Sequence, residues 1–273
     1  MGTIKEFIKK HLPESAVGIL RRMNSGGEFW DSRVTSLLCY PLNMFRSLPH
    51  RDYRSSGTIS ENNRIFDYRR QLLPNHVLAE QENGISDAAA AAGKTGLSIG
   101  YPAWNLLYYS LFCSPSDKTR EFIAVETGTN LGYSTIAMAQ ALKDMNVRAC
   151  LHTVDVDGNN IEAAKKNVEK AGLSKYVKFH RSDAILFLKE FVKENEYMDF
   201  VFIDDKHEYS QIKKEFSIIY PRVLACAGKV YFDNTSRGGV CHALRFIRKA
   251  YPGNMIEFNN CSWGPPGNAI WQP

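Results

Sequence analysis

Five short stretches place an acid or an amide where an apolar run ends. VETGTNLGYS carries Glu126 just before the turn residues Gly128 and Gly132, with Thr129 and Ser134 beside them. HTVDVDG carries Asp155, RSDA carries Ser182 and Asp183, FIDDKHEY carries Asp204, Lys206 and His207, and YFDN carries Asp233 and Asn234. The runs before them, EFIAVE, CLHTVDV, VKFHR, MDFVFID and KVYFD, are short and rich in β-branched and aromatic residues, so each reads as a strand. If these strands lie parallel, their acidic ends share one edge, the edge where ligands bind in open α/β sheets.

The glycine turn speaks against one ligand class. Dinucleotide oxidoreductases use G-x-G-x-x-G, whose second glycine lets the backbone approach a pyrophosphate. Here Asn130 stands at that place and the pattern is E-x-G-x-x-x-G, which disfavours a pyrophosphate and hydride transfer. Glu126 fits poorly with a phosphate but suits a ligand bearing a positive charge and an ammonium group. Asp155, 29 residues further on, is placed to accept two hydrogen bonds from a ribose diol. Ser182 and Asp183 could contact an adenine edge.

Asp204, Asp233 and Asn234 offer three oxygen donors from adjacent strand ends, a hard site of the kind that holds Mg²⁺ with waters and substrate oxygens. A metal there would lower the pKa of a bound hydroxyl. His207, with an ordinary pKa near ~6.5, is the candidate general base, and Lys206 is the fallback. Each has a structural alternative: a helix N-cap for Asp204, a surface or capping position for His207, and an exposed salt bridge for Lys206. Trp104, Tyr108 and Trp263 are candidates to line an acceptor pocket or else to pack as core or lid.

The elements that must position these residues follow from the spacing. Helical stretches STIAMAQALKDM, NIEAAKKNVEKAG, AILFLKEFVKEN, YSQIKKEFSIIY and ALRFIRKAY alternate with the strands, and MIEFN and NAIWQ add two more strands at the end. This predicts an α/β fold with a doubly wound, seven-stranded, mostly parallel sheet. The tight turn CSWGPPG between the last two strands requires at least one antiparallel strand. YPAWNLLYYSLFCS, residues 101–114, reads as a buried helix covering one end of the sheet.

Residues 1–99 read as a helical and irregular extension, with two short amphipathic helices within 4–23, an irregular stretch to about 60, and a helical tract over 62–78. The first 75 residues carry the whole net charge of +5, and the remainder is neutral. That argues against a nucleic-acid groove on the main domain; the basic segment could still touch an anionic surface. Its helices could pack on their own domain, on a second copy in a homodimer, or on a membrane surface.

At 44% hydrophobic and 23% charged the chain is an ordinary globular one, and no run approaches the roughly 18 apolar residues of a membrane span. The first residues lack the apolar core of a signal peptide, and Glu6 breaks the myristoylation pattern, so the expected address is cytoplasmic. The six cysteines are scattered without zinc spacing and are expected to be mostly reduced and buried.

Taken together, Glu126-x-Gly128, Asp155 and Asp183 in this order make residues 100–273 resemble the class I S-adenosylmethionine-dependent methyltransferases, with their Rossmann-like fold. The resemblance implies that Glu126, Gly128, Thr129, Gly132 and Ser134 wrap the methionine part, Asp155 holds the ribose, and Ser182 and Asp183 lie by the adenine. Asp204 with Asp233-Asn234 is similar to the metal-dependent O-methyltransferases of the catechol and caffeoyl-coenzyme A type, whose fourth strand ends in D-x-D-K. Here His207 stands where that family has its lysine and Lys206 where it has its second aspartate. The spacing to Tyr209 is closer to the D-G-D-H-x-Y form of a broad bacterial branch that includes sugar methyltransferases. The expectation is methyl transfer to a hydroxyl oxygen of a small molecule or sugar by direct in-line displacement, with Mg²⁺ and His207 activating the nucleophile. Metal-free transfer to nitrogen or carbon, or a non-catalytic binding module that retains the fold, are the alternatives.

Overall fold

The computed structural model describes residues 75–82, 95–96, 98–100, 103–114, 117, 119–235, 237–258 and 267–273. The two amphipathic helices, the tract over 62–74, the alanine run near residue 90, and Trp263 lie outside the described residues.

The seven expected strands all form: β1 (Phe122–Thr127), β2 (Ala149–Asp155), β3 (Val177–Arg181), β4 (Phe200–Ile203), β5 (Lys229–Phe232), β6 (Asn254–Phe258) and β7 (Asn268–Gln272). They make one sheet in the order β3-β2-β1-β4-β5-β7-β6. β1 pairs in parallel with β2 and β4, and β5 pairs in parallel with β4. β7 is antiparallel to both β5 and β6, so it alone runs against the rest. The chain leaves β1 toward β2 on one side and later returns to β4 on the other. The order therefore reverses at β1, and the crevice beside its carboxyl end is the place for a ligand.

The helices are α1 (His76–Glu82), α2 (Ala103–Phe112), α3 (Tyr133–Met145), α4 (Gly158–Lys170), α5 (Ala184–Glu194), α6 (Tyr209–Leu224) and α7 (Gly238–Ala250). Period-two alternation in the strands divides the core between two faces. Phe122 and Ala124 of β1, Phe200 and Phe202 of β4 and Tyr231 of β5 face α2 and α3. Their neighbours Ile123, Val125, Val201, Ile203, Val230 and Phe232 face α5, α6 and α7. Each Val, Ile or Phe among them, fully buried, contributes about 1.5–3 kcal/mol. Because both faces are covered, β4 and the first four residues of β1 read as continuous apolar runs without polar alternation.

α2 is buried as expected but lies across a face rather than over an end of the sheet. Tyr231 Oη of β5 donates to the Ala103 carbonyl at 3.3 Å, and Lys229 Nζ to the Ser110 carbonyl at 3.2 Å. Trp104 and Tyr108 therefore belong to the core, with 0% and 1% exposure. Tyr108 spends its hydroxyl on Asp144 at 2.6 Å. That bond ties α2 to α3.

Among the described residues no helix is long and apolar enough to cross a membrane. Of the described cysteines, Cys150 and Cys241 are buried, while Cys113 and Cys226 are only partly so.

Candidate active site

The turn after β1 is held from beneath. Glu126 is wholly buried, and its Oε2 accepts from Thr135 Oγ1 at 2.5 Å and Thr153 Oγ1 at 2.6 Å, joining β1 to α3 and β2. Thr129 and Thr153 share a further hydroxyl bond at 2.6 Å. Burial pushes the Glu126 carboxyl up to about 7, against the surrounding hydroxyls of Ser134, Thr135 and Thr153. Its second oxygen, Oε1, is buried without a hydrogen-bond partner. Glu126, Thr129 and Ser134 thus support the turn from inside, and Oε1 is the oxygen that Glu126 has to offer a ligand.

The turn needs its glycines for two reasons at once. Gly128 has φ 92°, and a Cβ there would lie 2.4 Å from the backbone oxygen of Asp204. Gly132 has φ 83°, and a Cβ there would lie 2.9 Å from that of Ala164 on α4. Between them Asn130 also adopts a positive φ of 46°, which asparagine tolerates better than most residues. Its N–H donates to Asp155 Oδ2 at 2.8 Å.

Asp155 therefore ties the β2 end to the turn, and its Oδ1 accepts from the Asp157 N–H at 2.8 Å. Gly128, Asp155, Ser182 and Asp183 meet around a cavity of about 160 Å³, completed by Val154, Val156, Ala184, Asp205 and Lys206. Four strand ends are thus brought to one hollow, as expected of parallel neighbours. Asp183 has a second role that sequence reasoning missed. It is the N-cap of α5, with Oδ1 accepting from the N–H groups of Ile185 at 2.9 Å and Leu186 at 3.1 Å. Asp followed by an apolar helical run is the signal that would have found it. Lys206 lines the same cavity, and among the described residues it forms no ion pair.

The other half of the site lies at the ends of β4 and β5. Asp204 accepts from His207 Nε2 at 3.3 Å. The cap position of α6 is Glu208, so neither Asp204 nor His207 is the helix cap. Burial raises the Asp204 pKa; burial also works to lower that of His207, but the bond and charge of Asp204 outweigh it and hold the imidazole above its ordinary value. Asp233 is pushed up to about 7, first by burial and then by the charge of Asp204. Two half-buried carboxyls whose charges oppose one another, with an imidazole on one of them, form an acid–base cluster that a cation would relieve. Among the described residues, no three His, Cys, Asp or Glu side chains converge to hold a metal. Asn234 follows Asp233 with φ 52°.

Three supporting contacts escaped sequence reasoning. Asn268, at the start of β7, donates its Nδ2 to Asp233 Oδ1. Glu215 is fully buried on the apolar stripe of α6, accepting from Thr127 Oγ1 at 3.1 Å and Gln211 Nε2 at 2.6 Å. Gln211 Nε2 also donates to Asp205 Oδ2 at 2.8 Å, which anchors the loop between Asp204 and His207. The charged residue among Ile212, Phe216 and Ile219 was the only trace of this network in the sequence. Finally, a Cβ on Gly239 would lie 2.1 Å from the His207 backbone oxygen, so the first turn of α7 packs directly on the histidine loop.

Fold and site together define a methyltransferase domain of the doubly wound kind. A sequence profile for the "Methyltransferase domain" family matches residues 125–235. The chain is 30% identical to a catechol O-methyltransferase of Niastella koreensis over 203 residues, which is 68% of this chain and 85% of that protein. It is 28% identical to a caffeoyl-CoA O-methyltransferase of Petunia hybrida, over 54% of this chain and 62% of the relative. Against a caffeoyl-CoA O-methyltransferase of Nicotiana tabacum the identity is 29%, over 50% of this chain and 57% of the relative. Among solved structures, the Bacillus cereus O-methyltransferase in complex with SAH shares the fold at TM-score 0.57 and 18% identity, over 72% of this chain and 90% of that one. The O-methyltransferase of Streptomyces achromogenes involved in tomaymycin synthesis, in complex with SAM, shares it at TM-score 0.53 and 18% identity, over 72% and 89%. The chain belongs to the class I S-adenosylmethionine-dependent O-methyltransferases.

Proposed function

We propose that this protein transfers the methyl group of S-adenosylmethionine to a hydroxyl oxygen of a small molecule or sugar, with a divalent cation such as Mg²⁺ at Asp204, Asp233 and Asn234. The observation that carries this reading is the pair of half-buried, mutually repelling carboxyls Asp204 and Asp233 at neighbouring strand ends, with His207 on Asp204. The catechol and caffeoyl-CoA names of its relatives supply the class of acceptor to try first.

The residues fit both groups. Toward the cofactor, Asp155 and Asp183 line the cavity beside Gly128, and Glu126 Oε1 is an orphaned acceptor beneath the turn. Toward the cation, Asp204 keeps Oδ2 outside its bond to His207, and Asp233 keeps Oδ2 outside its bond from Asn268. When bound, S-adenosylmethionine supplies a methyl group made electrophilic by its sulfonium, and the cation acidifies the hydroxyl that receives it.

The chain's own work is to orient and to move one proton. Asp204 accepts from Nε2 of His207, which fixes the tautomer and leaves Nδ1 as the lone-pair nitrogen. His207 then takes the proton of the acceptor hydroxyl as the oxygen attacks. Asn268 holds Asp233 in place, and the Gln211–Asp205 bond holds the loop that carries Asp204 and His207. Close approach of that loop to Gly128 keeps the two halves of the site in fixed relation, which is what an in-line transfer requires.

The test separates the two halves. Asp155→Ala should weaken S-adenosylmethionine binding at least about tenfold in calorimetry, a loss of about 1.4 kcal/mol. Asp233→Asn should bind it normally and lose about 10² or more of turnover on catechol or caffeoyl-CoA. Chelation with EDTA should abolish wild-type turnover and added Mg²⁺ should restore it. Full turnover in EDTA would remove the metal from the mechanism, and normal binding by Asp155→Ala would show that the cofactor lies elsewhere.

A further inference from the structure

A second cavity, of about 440 Å³, lies on the α5 face of the sheet, away from the catalytic edge. Its walls include Glu121 and Lys178, near the starts of β1 and β3, and Glu190, Glu194 and Asn195 at the far end of α5. The methyltransferase reading uses none of these residues. His152 of β2 and His180 of β3 stand in this cavity with Nδ1 of the first 3.1 Å from Nε2 of the second. The rings are nearly parallel, at 11°, and each is braced by an aromatic ring of α5: Phe191 at 4.7 Å for His152 and Phe187 at 4.6 Å for His180.

We propose that His152 and His180 form a binding site for a divalent transition-metal ion, of the Zn²⁺, Ni²⁺ or Cu²⁺ class, distinct from the catalytic centre. Two imidazole nitrogens bound to one such ion at about 2.0–2.1 Å stand about 2.9 Å apart at a right angle and about 3.4 Å apart at a tetrahedral one. The observed 3.1 Å falls between these; with the ring centroids 5.3 Å apart the nitrogens meet nearly head-on in a hydrogen bond, so both rings must tilt for their lone pairs to converge on an ion. Imidazole donors select this class over Mg²⁺.

The cavity walls carry charges of both signs, and the one that reaches the two rings is that of Lys178. Three carboxylates, Glu121, Glu190 and Glu194, face one ammonium, Lys178; Glu190 also meets Lys193 Nζ at 2.7 Å. Burial, and for His152 the neighbouring His180, and Lys178 for both, hold the two imidazoles below their ordinary pKa, His152 at about 4, so both offer lone pairs at neutral pH. The ring bond uses one N–H; on binding, the ring that supplied it adopts its other tautomer, with no net proton released. Among the described residues no third ligand of the His, Cys, Asp or Glu type converges on the pair. Water, or a glutamate swung from α5, completes the shell, and binding is correspondingly weaker than in a closed structural site.

The experiment uses the full chain with excess Mg²⁺ to occupy oxygen sites, and Cu²⁺ as the probe. Electron paramagnetic resonance should show one equivalent of Cu²⁺ with hyperfine coupling to two imidazole nitrogens. Each of His152→Phe and His180→Phe should lose that signal, and Asp233→Asn should keep it. Should circular dichroism show either Phe variant unfolded, His152→Gln and His180→Gln, which keep polar side chains, take their place under the same expectation. Zn²⁺ at about 100 times its Kd should raise the wild-type melting midpoint by about 5 °C or more, and should not do so in the folded variants. A two-nitrogen signal that persists in a folded variant at either histidine overturns the assignment, as does its loss in Asp233→Asn alone.

Discussion

At Glu126 a carboxyl with no exposed surface is kept in the core by hydroxyl donors, and its folded-state pKa of about 7 stands above the ordinary 4.5. The folded state therefore holds the proton more tightly than the unfolded one. The stability this contributes is fully present below about 4.5 and is lost as pH rises through about 7, an interval worth about 3 kcal/mol. Glu126→Gln keeps an acceptor for Thr135 and Thr153 without the charge. Its unfolding free energy in urea at pH 8 should exceed that of the wild type by up to about 3 kcal/mol, and its decline between pH 4.5 and 7 should be shallower. No gain at pH 8 would mean that the carboxylate is not buried at a cost. Asp183 invites a similar separation of roles: Asp183→Ala should cost about 1 kcal/mol of stability without any ligand, through the lost cap. Unchanged stability would leave it a ligand contact alone. These acids were legible in the sequence because each follows an apolar run, but their commitments to hydroxyls and to a helix start were not. The first depends on Thr135 and Thr153, which are distant in sequence and carry no distinctive pattern; the second had a local signal, the apolar helical run right after Asp183, that the ligand reading passed over.

Among elements, the contact between α7 and the histidine loop is the tightest demand on the site. A methyl group added by Gly239→Ala would fall 2.1 Å from the His207 backbone oxygen, so the helix or the loop must move. Turnover should drop about tenfold or more, since misplacement of about 1 Å already costs up to about 10² in rate. S-adenosylmethionine affinity should stay within about twofold, because Asp155 and Asp183 sit on other elements. Loss of affinity equal to the loss of turnover would argue instead for a general disruption. Strands and helices from β1 onward were readable because burial on both faces gives unbroken apolar runs with helices between them. α2 was readable as buried but not as lying over β5, since an all-apolar helix carries no face that names its neighbour. That is why Trp104 and Tyr108 could be taken either for pocket lining or for core.

Over the whole molecule, stability and chemistry are anchored at opposite edges of the sheet. Arg120 makes two bonds to Asp199, at 2.9 and 2.6 Å, and Asp199 also accepts from the Ile123 N–H at 2.8 Å. This cluster clamps β1 to β4 at the end away from the strand-end acids. Asp199→Ala leaves a partly buried guanidinium and an N–H without their acceptor and should cost roughly 3–5 kcal/mol in denaturant unfolding. Cofactor affinity of the folded variant should be unchanged; a parallel fall in affinity would show that the two edges are coupled. The order of strands along the chain has a further consequence for synthesis. β6 has no neighbour but β7, and Asp233 takes its Asn268 bond from the same strand. A nascent chain that has reached β6 therefore holds five paired strands, one strand with nothing to pair with, and a strand-end acid, Asp233, without its brace. Residues 268–272 do two things in one step: slotting between β5 and β6, they pair the edge strand and bring Asn268 to Asp233, so a chain truncated before residue 268 is expected to lose turnover in a methyl-transfer assay.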